Sequence, residues 1–193
     1  SSAQNHESSD SMALKATIFK ADLQIADMDR NYYHDHALTI ARHPSETDER
    51  MMVRLLAYAL NASDALSFGK GLSADDEPDL WQKDLTGAIE LWIDVGLPDD
   101  KRIRRACGRA RQVLVYSYGG HGAAIWWDQI GGKLERSGNL AVISVPMEAS
   151  HALAKLAKRS MQLNCTIQDG QVWLADAEER VQGDLTFTKV PPA

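Results

Sequence analysis

The side chains best suited to chemistry in this chain are carboxylates set beside turns. In IELWIDVGLPDDKRIRR, residues 89–105, an alternating apolar stretch ends on Asp94, Gly96 follows, and a basic run begins at Lys101. Upstream lies the acidic loop DDEPD, residues 75–79. Seventeen residues separate Asp76 from Asp94, enough for a short strand, a turn and a return strand. Sheet pairing can therefore bring a loop acid to a strand-end acid, and Glu90 adds a second acid to that strand. Hard oxygen donors of this kind suit Mg²⁺, which takes one or two carboxylates together with phosphate oxygens and water. The plainer reading of DDEPD is a solvated surface loop.

Two further groups bear on the same chemistry. Glu46 and Glu49 lie at a helix start, where acids favour the positive end of the helix dipole by about 0.3–1 kcal/mol each. That structural reason suffices, and the functional alternative has Glu49 help to hold a metal ion or water. Lys101 and Arg102 fall in the first turns of the next helix. A cation there can stabilise negative charge developing on an attacked phosphate.

The net charge of −6 argues against tight nonspecific binding to nucleic acid. Its distribution qualifies that, because six of the 21 basic residues lie between Lys101 and Arg111. This basic helix is either a solvated face or a patch that meets nucleic-acid phosphates. His34 and His36 share a strand face without a third ligand, so a zinc site has no support. His121 lies between glycines and receives no role. The chain has no G-x-S-x-G elbow, no G-x-G-x-x-G loop and no Walker-type sequence. Trp81, Trp92, Trp126 and Trp127 read as core or rim. Trp92 shares a face with Glu90 and Asp94, and an exposed indole there can stack on a base. Trp126-Trp127 and the terminal strands are the candidate surface for a protein partner.

The elements that must position these groups follow from periodicity. Residues 16–26 alternate as a strand, DMDRN supplies a turn, and His34 to Arg42 returns as its hairpin partner. Ser45 is the expected N-cap of a helix with Asp48 as capping-box acid, followed by Met52, Leu55, Leu56, Ala59 and Leu60 at helical spacing. Short strands are expected at Leu66 to Phe68 and at Leu80-Trp81. In the strand Ile89 to Val95, Ile89, Leu91, Ile93 and Val95 point one way, and Glu90, Trp92 and Asp94 the other. Asp99 caps the next helix, whose apolar stripe is Ile103, Ala106, Cys107, Ala110 and Leu114. A strand over Gln112 to Tyr118, a helix over Ala123 to Ile130, a strand over Leu140 to Val145 and a helix over Glu148 to Lys158 follow. Met161 to Ile167 and Gln171 to Ala175 flank an Asp169-Gly170 hairpin turn, and a last strand covers Asp184 to Lys189. This is an α/β chain bordering on α+β, a mixed β-sheet flanked by helices.

With 193 residues, 44% of them hydrophobic, the chain suits one globular domain over residues 12–193. Residues 1–11 are polar and lack an apolar core. They read as a disordered leader or a cloning remnant rather than a signal peptide, with Met12 as the natural start. No run approaches the roughly 18 apolar residues of a membrane span, so no membrane role is expected and the cytoplasm is the default location. Cys107 and Cys165 are too few for a disulfide framework, and Cys107 reads as a core thiol.

Long blocks of the chain resemble the YaeQ family of small bacterial proteins: MALKATIFKADLQIADMDRN, LTIARHPSETDERMMVRLLAYAL, GLSADDEPDLW, ELWIDVGLPDDKRIRRAC, IWWDQ and MQLNCTIQDGQVWL. The resemblance implies a variant of the PD-(D/E)XK nuclease-like core, with extra N- and C-terminal strands. In that superfamily one acid sits near the start of a strand, and an acid-x-lysine ends the next. The acids hold Mg²⁺, which activates water for attack on a phosphodiester. Carried over residue by residue, Asp76 takes the first acid position with Asp79 as its rival. Asp94 takes the second, and Glu49, with Glu46 behind it, takes that of the helix glutamate. Gly96 occupies the lysine position, a departure that leaves Lys101 or Arg102 to supply the cation. The resemblance thus implies a Mg²⁺-dependent nuclease or phosphodiesterase using Asp76, Asp94, Glu49 and Lys101 or Arg102, with Asp76, Asp79 and Asp94 as metal ligands. Its alternatives are a nuclease-like domain without catalysis that serves in binding or regulation, and a protein-interaction module.

Overall fold

Strand β1 (Thr17–Asp27) alternates strictly, burying Phe19, Ala21, Leu23 and Ile25 and exposing the residues between them. It pairs antiparallel with β2 (Tyr32–Arg42) along their full length. These strands are the start of the computed structural model, which describes residues 15–190. The expected leader and Met12 lie outside the described residues.

Helix α1 (Asp48–Asn61) is buried without a break from Met51 to Ala59. A helix buried on every side must lie between two layers rather than on one. The chain provides both. One is a five-stranded sheet in the order β10-β9-β8-β1-β2, and the other a six-stranded sheet in the order β11-β7-β6-β5-β4-β3. The second sheet contains β3 (Leu66–Phe68), β4 (Leu80–Lys83), β5 (Ile89–Val95), β6 (Ala110–Ser117) and β7 (Leu140–Ser144). Strands β5, β6 and β7 run parallel, joined through α2 (Asp100–Arg109) and α3 (His121–Ile130). One face of this sheet packs on α1 and α4 (Met147–Ala154), and these on the first sheet. Its other face packs with Ile103 and Ala106 of α2 and Ile130 of α3. No described helix is long and apolar enough to cross a membrane.

The mixed sheet expected from the sequence is thus two mixed sheets. Periodicity tells which residues of a strand are buried, not which strand lies beside it. Strands β8 (Ser160–Gln168), β9 (Gln171–Ala175) and β10 (Arg180–Gly183) join β1 and β2, with β8 parallel to β1. The expected last strand forms as β11 (Thr186–Lys189) and crosses over to pair with β7, while β10, just before it, was not expected. The β8–β9 turn is as expected, with Asp169 and Gly170 both at positive φ, the conformation a two-residue hairpin turn requires. Asp29 in the β1–β2 turn accepts hydrogen bonds from both of their backbone N–H groups, at 2.8 and 2.9 Å.

Three local expectations change. Thr47, not Ser45, caps α1 by accepting from the Arg50 N–H at 3.1 Å, because Ser45 is held in the preceding turn by the ring of His43. Helix α2 ends at Arg109 and β6 begins at the next residue, so Leu114 belongs to a strand rather than to the helix stripe. A bulge in β5 opposite Gln82 and Lys83 moves Glu90 off the Trp92 face. Glu90 accepts instead from the Gln82 amide at 2.8 Å, and Ile89 packs with Trp92. The Asp99 cap of α2 is as expected, accepting from the Arg102 N–H at 2.7 Å.

The far end of α1 depends on Arg30. Its Nε donates to the buried Asp27 carboxylate at 2.6 Å, and its Nη1 donates to the Ala62 carbonyl at 3.0 Å. The helix has no basic residue of its own in its last turn, so Arg30 supplies the cation that its terminal carbonyls favour. Arg30→Ala should lower stability by about 2 kcal/mol, since hydrogen bonds to charged groups contribute roughly 1.5–3 kcal/mol and Arg30 is partly screened by solvent. Urea unfolding checks this, and an unchanged midpoint would remove Arg30 from the account of α1.

Candidate active site

Helix α1 carries two arginines among apolar residues, Arg50 and Arg54, one turn apart and each in reach of Glu46. The Glu46 side chain is buried, and accepts from Arg50 Nη1 at 2.5 Å and from Arg54 Nη2 at 2.5 Å and Nε at 3.0 Å. Arg50 also reaches across to the second sheet. Its Nη2 lies 2.9 Å from both carboxylate oxygens of Asp79 and 3.1 Å from the Val95 carbonyl. Asp79 stands immediately before β4 and is buried, and one of its oxygens also accepts from the Val95 N–H at 2.7 Å. One guanidinium therefore ties the start of α1, the start of β4 and the end of β5.

Asp94, in the last turn of the β5 alternation, is 3% exposed. Arg102 folds back to it as a fork, with Nε 2.8 Å from one carboxylate oxygen and Nη2 3.1 Å from the other. The same guanidinium donates to the carbonyls of Asp75 and Glu77, both at 3.0 Å. Arg109, two turns further along α2, donates to the carbonyl of Asp76 at 2.8 Å. The acidic loop is thus held to α2 through its backbone, while the side chains of Asp75 and Asp76 are exposed. The cation question raised by Gly96 has a geometric answer: Arg102 returns to Asp94, and Lys101 points to solvent.

Between these groups lies a cleft of about 580 Å³, lined by Arg50, Asp79, Asp94 and Arg102, with Leu72 and Leu97 at an apolar rim. Gly96 and Gly119 also line it, and both have positive φ with open space where a side chain would be. These two positions leave bare backbone at the opening. Burial pushes the Asp94 carboxyl above its usual range, and the negative charge of Asp79 adds to this, against the opposing pull of Arg102.

The residues expected from the sequence divide clearly. Asp94 and Arg102 meet in the cleft. Asp76 lies exposed on its loop, and the acid lining the cleft is its rival, Asp79. The reason is the Pro78–Asp79 step, where the chain enters β4. There the carbonyls of Pro78 and Asp79 accept from the N–H groups of Gly71 and Gly69, and the Asp79 side chain turns inward. Glu49 faces away from the cleft, where it accepts from Ser150 Oγ at 3.2 Å and lies 3.2 Å from His151 Nε2 of α4. Glu46, which precedes α1, is the acid joined to the site, through Arg50. Trp92 is buried between Arg102 and Arg109, its ring centre 5.8 and 5.1 Å from their guanidinium carbons. It has no surface on which a base could stack. Trp126 is half-buried and donates to the Pro98 carbonyl at 2.7 Å, so it pins the loop after β5. His36 contacts the hydroxyls of Tyr32 and Tyr58 through its two ring nitrogens. Among the described residues, no three His, Cys, Asp or Glu side chains come together as a metal-ligand group.

Arg50 and Arg54 were not singled out from the sequence. The available signal was Glu46, Arg50 and Arg54 at four-residue intervals, with Arg54 set inside the apolar run MMVRLLAYAL that Arg50 immediately precedes. Charges on a buried helix stripe must find partners.

Relatives of known name share this chain's sequence along nearly its whole length. A sequence profile of the YaeQ protein family matches residues 12–185. The YaeQ protein of Salmonella typhi is 47% identical over 180 residues, covering 93% of this chain and 99% of that protein. The YaeQ protein of Escherichia coli strain K12 is 46% identical with the same coverage. The crystal structure of YaeQ from Xanthomonas axonopodis pv. citri, 49% identical, matches with a TM-score of 0.88 over 91% of this chain and 99% of that one. That of YaeQ from Pseudomonas syringae, 35% identical, matches at 0.87 over 91% and 97%.

The Asp94 environment yields a signed expectation. A carboxyl whose folded value is raised holds a proton that the unfolded chain has already released, so its share of stability is lost as pH rises through the folded value. In carboxyl-carbon NMR, Asp94 should titrate above the ordinary 3.8. Arg102→Ala should move it further up and Asp79→Asn should move it down. Asp94→Asn should flatten that part of the stability profile. A titration of Asp94 at or below 3.8 would contradict the dominance of burial.

Proposed function

The chain belongs to the YaeQ family, and from that premise we propose that it is a nuclease-like domain whose metal site has become an arginine-locked one, so that its cleft binds and does not cleave. The observation that carries this is the Arg102 fork on Asp94. Asp79 directly precedes β4 and Asp94 lies near the end of β5, the strand positions at which the resemblance implies the two acids. Both carboxylates are already answered, Asp94 by Arg102 and Asp79 by Arg50 and a backbone N–H.

The donor set fits resident magnesium poorly. Mg²⁺ demands near-ideal octahedral oxygens at about 2.0–2.1 Å. An ion so close to either carboxylate would face a guanidinium bound to the same oxygens. Glu46, Asp79 and Asp94 carry three negative charges, and Arg50, Arg54 and Arg102 carry three positive ones. The cluster leaves no excess negative charge to attract a dication. What remains is a cleft with an apolar rim and fixed dipoles, the composition of a ligand-binding site.

One observation favours a second reading, a Mg²⁺-dependent phosphodiesterase. The Arg102 side chain is 28% exposed and sits at the start of α2, so water can take over its contacts if it leaves Asp94. Asp79 and Asp94 would then be the metal-holding acids, and Arg102 would stand in for the lysine absent at Gly96.

Calorimetry with Mg²⁺ and Mn²⁺, paired with cleavage assays on single- and double-stranded DNA and RNA, separates the two. The binding reading expects no metal-dependent heat at millimolar metal and no cleavage by the wild type. It further expects that Arg102→Met, by releasing Asp94, creates weak metal binding. Metal-dependent cleavage that Asp94→Asn abolishes would establish the second reading and end the first.

A further inference from the structure

Behind the Arg50–Asp79 pair, on the side away from the cleft, lies a second cavity of about 290 Å³. Its walls come from the end of β2, the start of α1 and the segment after β3. Arg54 lines it and is 5% exposed. That arginine spends Nε and one N–H of Nη2 on Glu46, and another on the Ala41 carbonyl. Its Nη1 has no hydrogen-bond partner among the described residues, yet it is not among the polar atoms sealed from solvent without a partner. Arg54 lines this cavity, which gives those two N–H groups an opening to reach. Buried donors of this kind are normally satisfied by protein, water or ligand.

The surrounding charge has one sign to spare. Arg50, Arg54 and Lys70 line the cavity, against Glu46 and Asp79. Both acids are already bound by the arginines at 2.5–3.0 Å, so their lone pairs point at partners. Lys70 is held to the protein only loosely, with Nζ 3.9 Å from Glu77 and its side chain 71% exposed, so it is free to close over a ligand. His43 stands at the same wall and adds positive charge when protonated.

We propose that this second cavity is a binding site for a phosphate group carried on a small molecule, held by Arg54 and Arg50 from within and by Lys70 from the rim. Three cationic side chains converging from different elements suit a tetrahedral oxyanion better than a planar carboxylate. Guanidinium donors bind such oxygens with directed, charge-assisted hydrogen bonds. The volume admits a phosphate with a sugar-sized substituent and excludes a nucleic-acid duplex. The inference does not rest on the reading of the cleft, and its test runs without divalent metal, so either can fail alone.

The test titrates the full-length protein with inorganic phosphate, adenosine 5′-monophosphate, adenosine and acetate. Calorimetry measures the affinities, and arginine side-chain ¹⁵N–¹H spectra locate the site. The expected result is millimolar or tighter binding of phosphate and of the nucleotide, with neither adenosine nor acetate binding. The Arg54 guanidinium signals should shift while those of Arg109 stay fixed. Lys70 is exposed, so Lys70→Glu should leave the fold intact and weaken phosphate binding at least about tenfold, as loss and reversal of a charge contact does. Arg54→Lys should weaken it while retaining the charge opposite Glu46. No phosphate or nucleotide binding at about 10 mM, tenfold above the millimolar range expected, would overturn the proposal. So would acetate binding as tightly as phosphate, or unaltered phosphate binding by folded Lys70→Glu.

Discussion

A guanidinium inside a protein is tolerable only where its hydrogen bonds and charge are met, and Arg50 meets this condition through three elements together. It holds Glu46 ahead of α1, Asp79 at the head of β4 and the Val95 carbonyl at the end of β5. Removing Glu46 or Asp79 would leave part of the Arg50 charge unmet at a side chain only 14% exposed, and breaking a buried pair typically costs about 3–5 kcal/mol. The relative placement of helix and sheet is therefore specified by polar contacts as well as by the apolar core around them. Arg54 repeats the device one turn later, joining Glu46 to the Ala41 carbonyl of β2.

Both cavities are consequences of this arrangement. The Arg50–Asp79 pair stands as a wall between them, so each opens on a different side of the same ion pair. On the cleft side, Arg102 extends the pattern to Asp94 and to the carbonyls of the acidic loop. Close approach of that loop depends on Gly71, whose backbone adopts positive φ. A Cβ there would come within 2.5 Å of an Asp79 carboxylate oxygen. The acid pair, the loop and the two helices therefore meet through shared residues, Arg50 and Asp79 among them.

Much of the fold was legible from spacing. The β1 alternation, the Asp99 cap, the Asp169-Gly170 turn and the apolar stripe at the start of α2 are local patterns, and each formed as the pattern requires. The site was legible in part. Asp94 and Arg102 lie eight residues apart at a strand end and a helix start, so local geometry brings them together. Asp76 was ranked ahead of Asp79, and nothing local separates two acids three residues apart in one loop. The choice depends on where β4 begins and which carbonyls the Gly69–Gly71 segment binds. Glu46 precedes α1 and Glu49 lies in its first turn, and which of them meets Arg50 depends on packing beyond the helix start.

By itself the sequence determined which faces are apolar, where helices start and where chains turn, since these follow from side-chain type and the 3.6 and 2.0 residue periods. Only the tertiary structure decided that the strands form two sheets around α1, that a bulge at Glu90 breaks the two-acid face, and that Arg102 closes on Asp94. The physical reason is range. Periodicity and capping act within a few residues. Which buried acid meets which guanidinium is set by contacts between elements that no local pattern encodes.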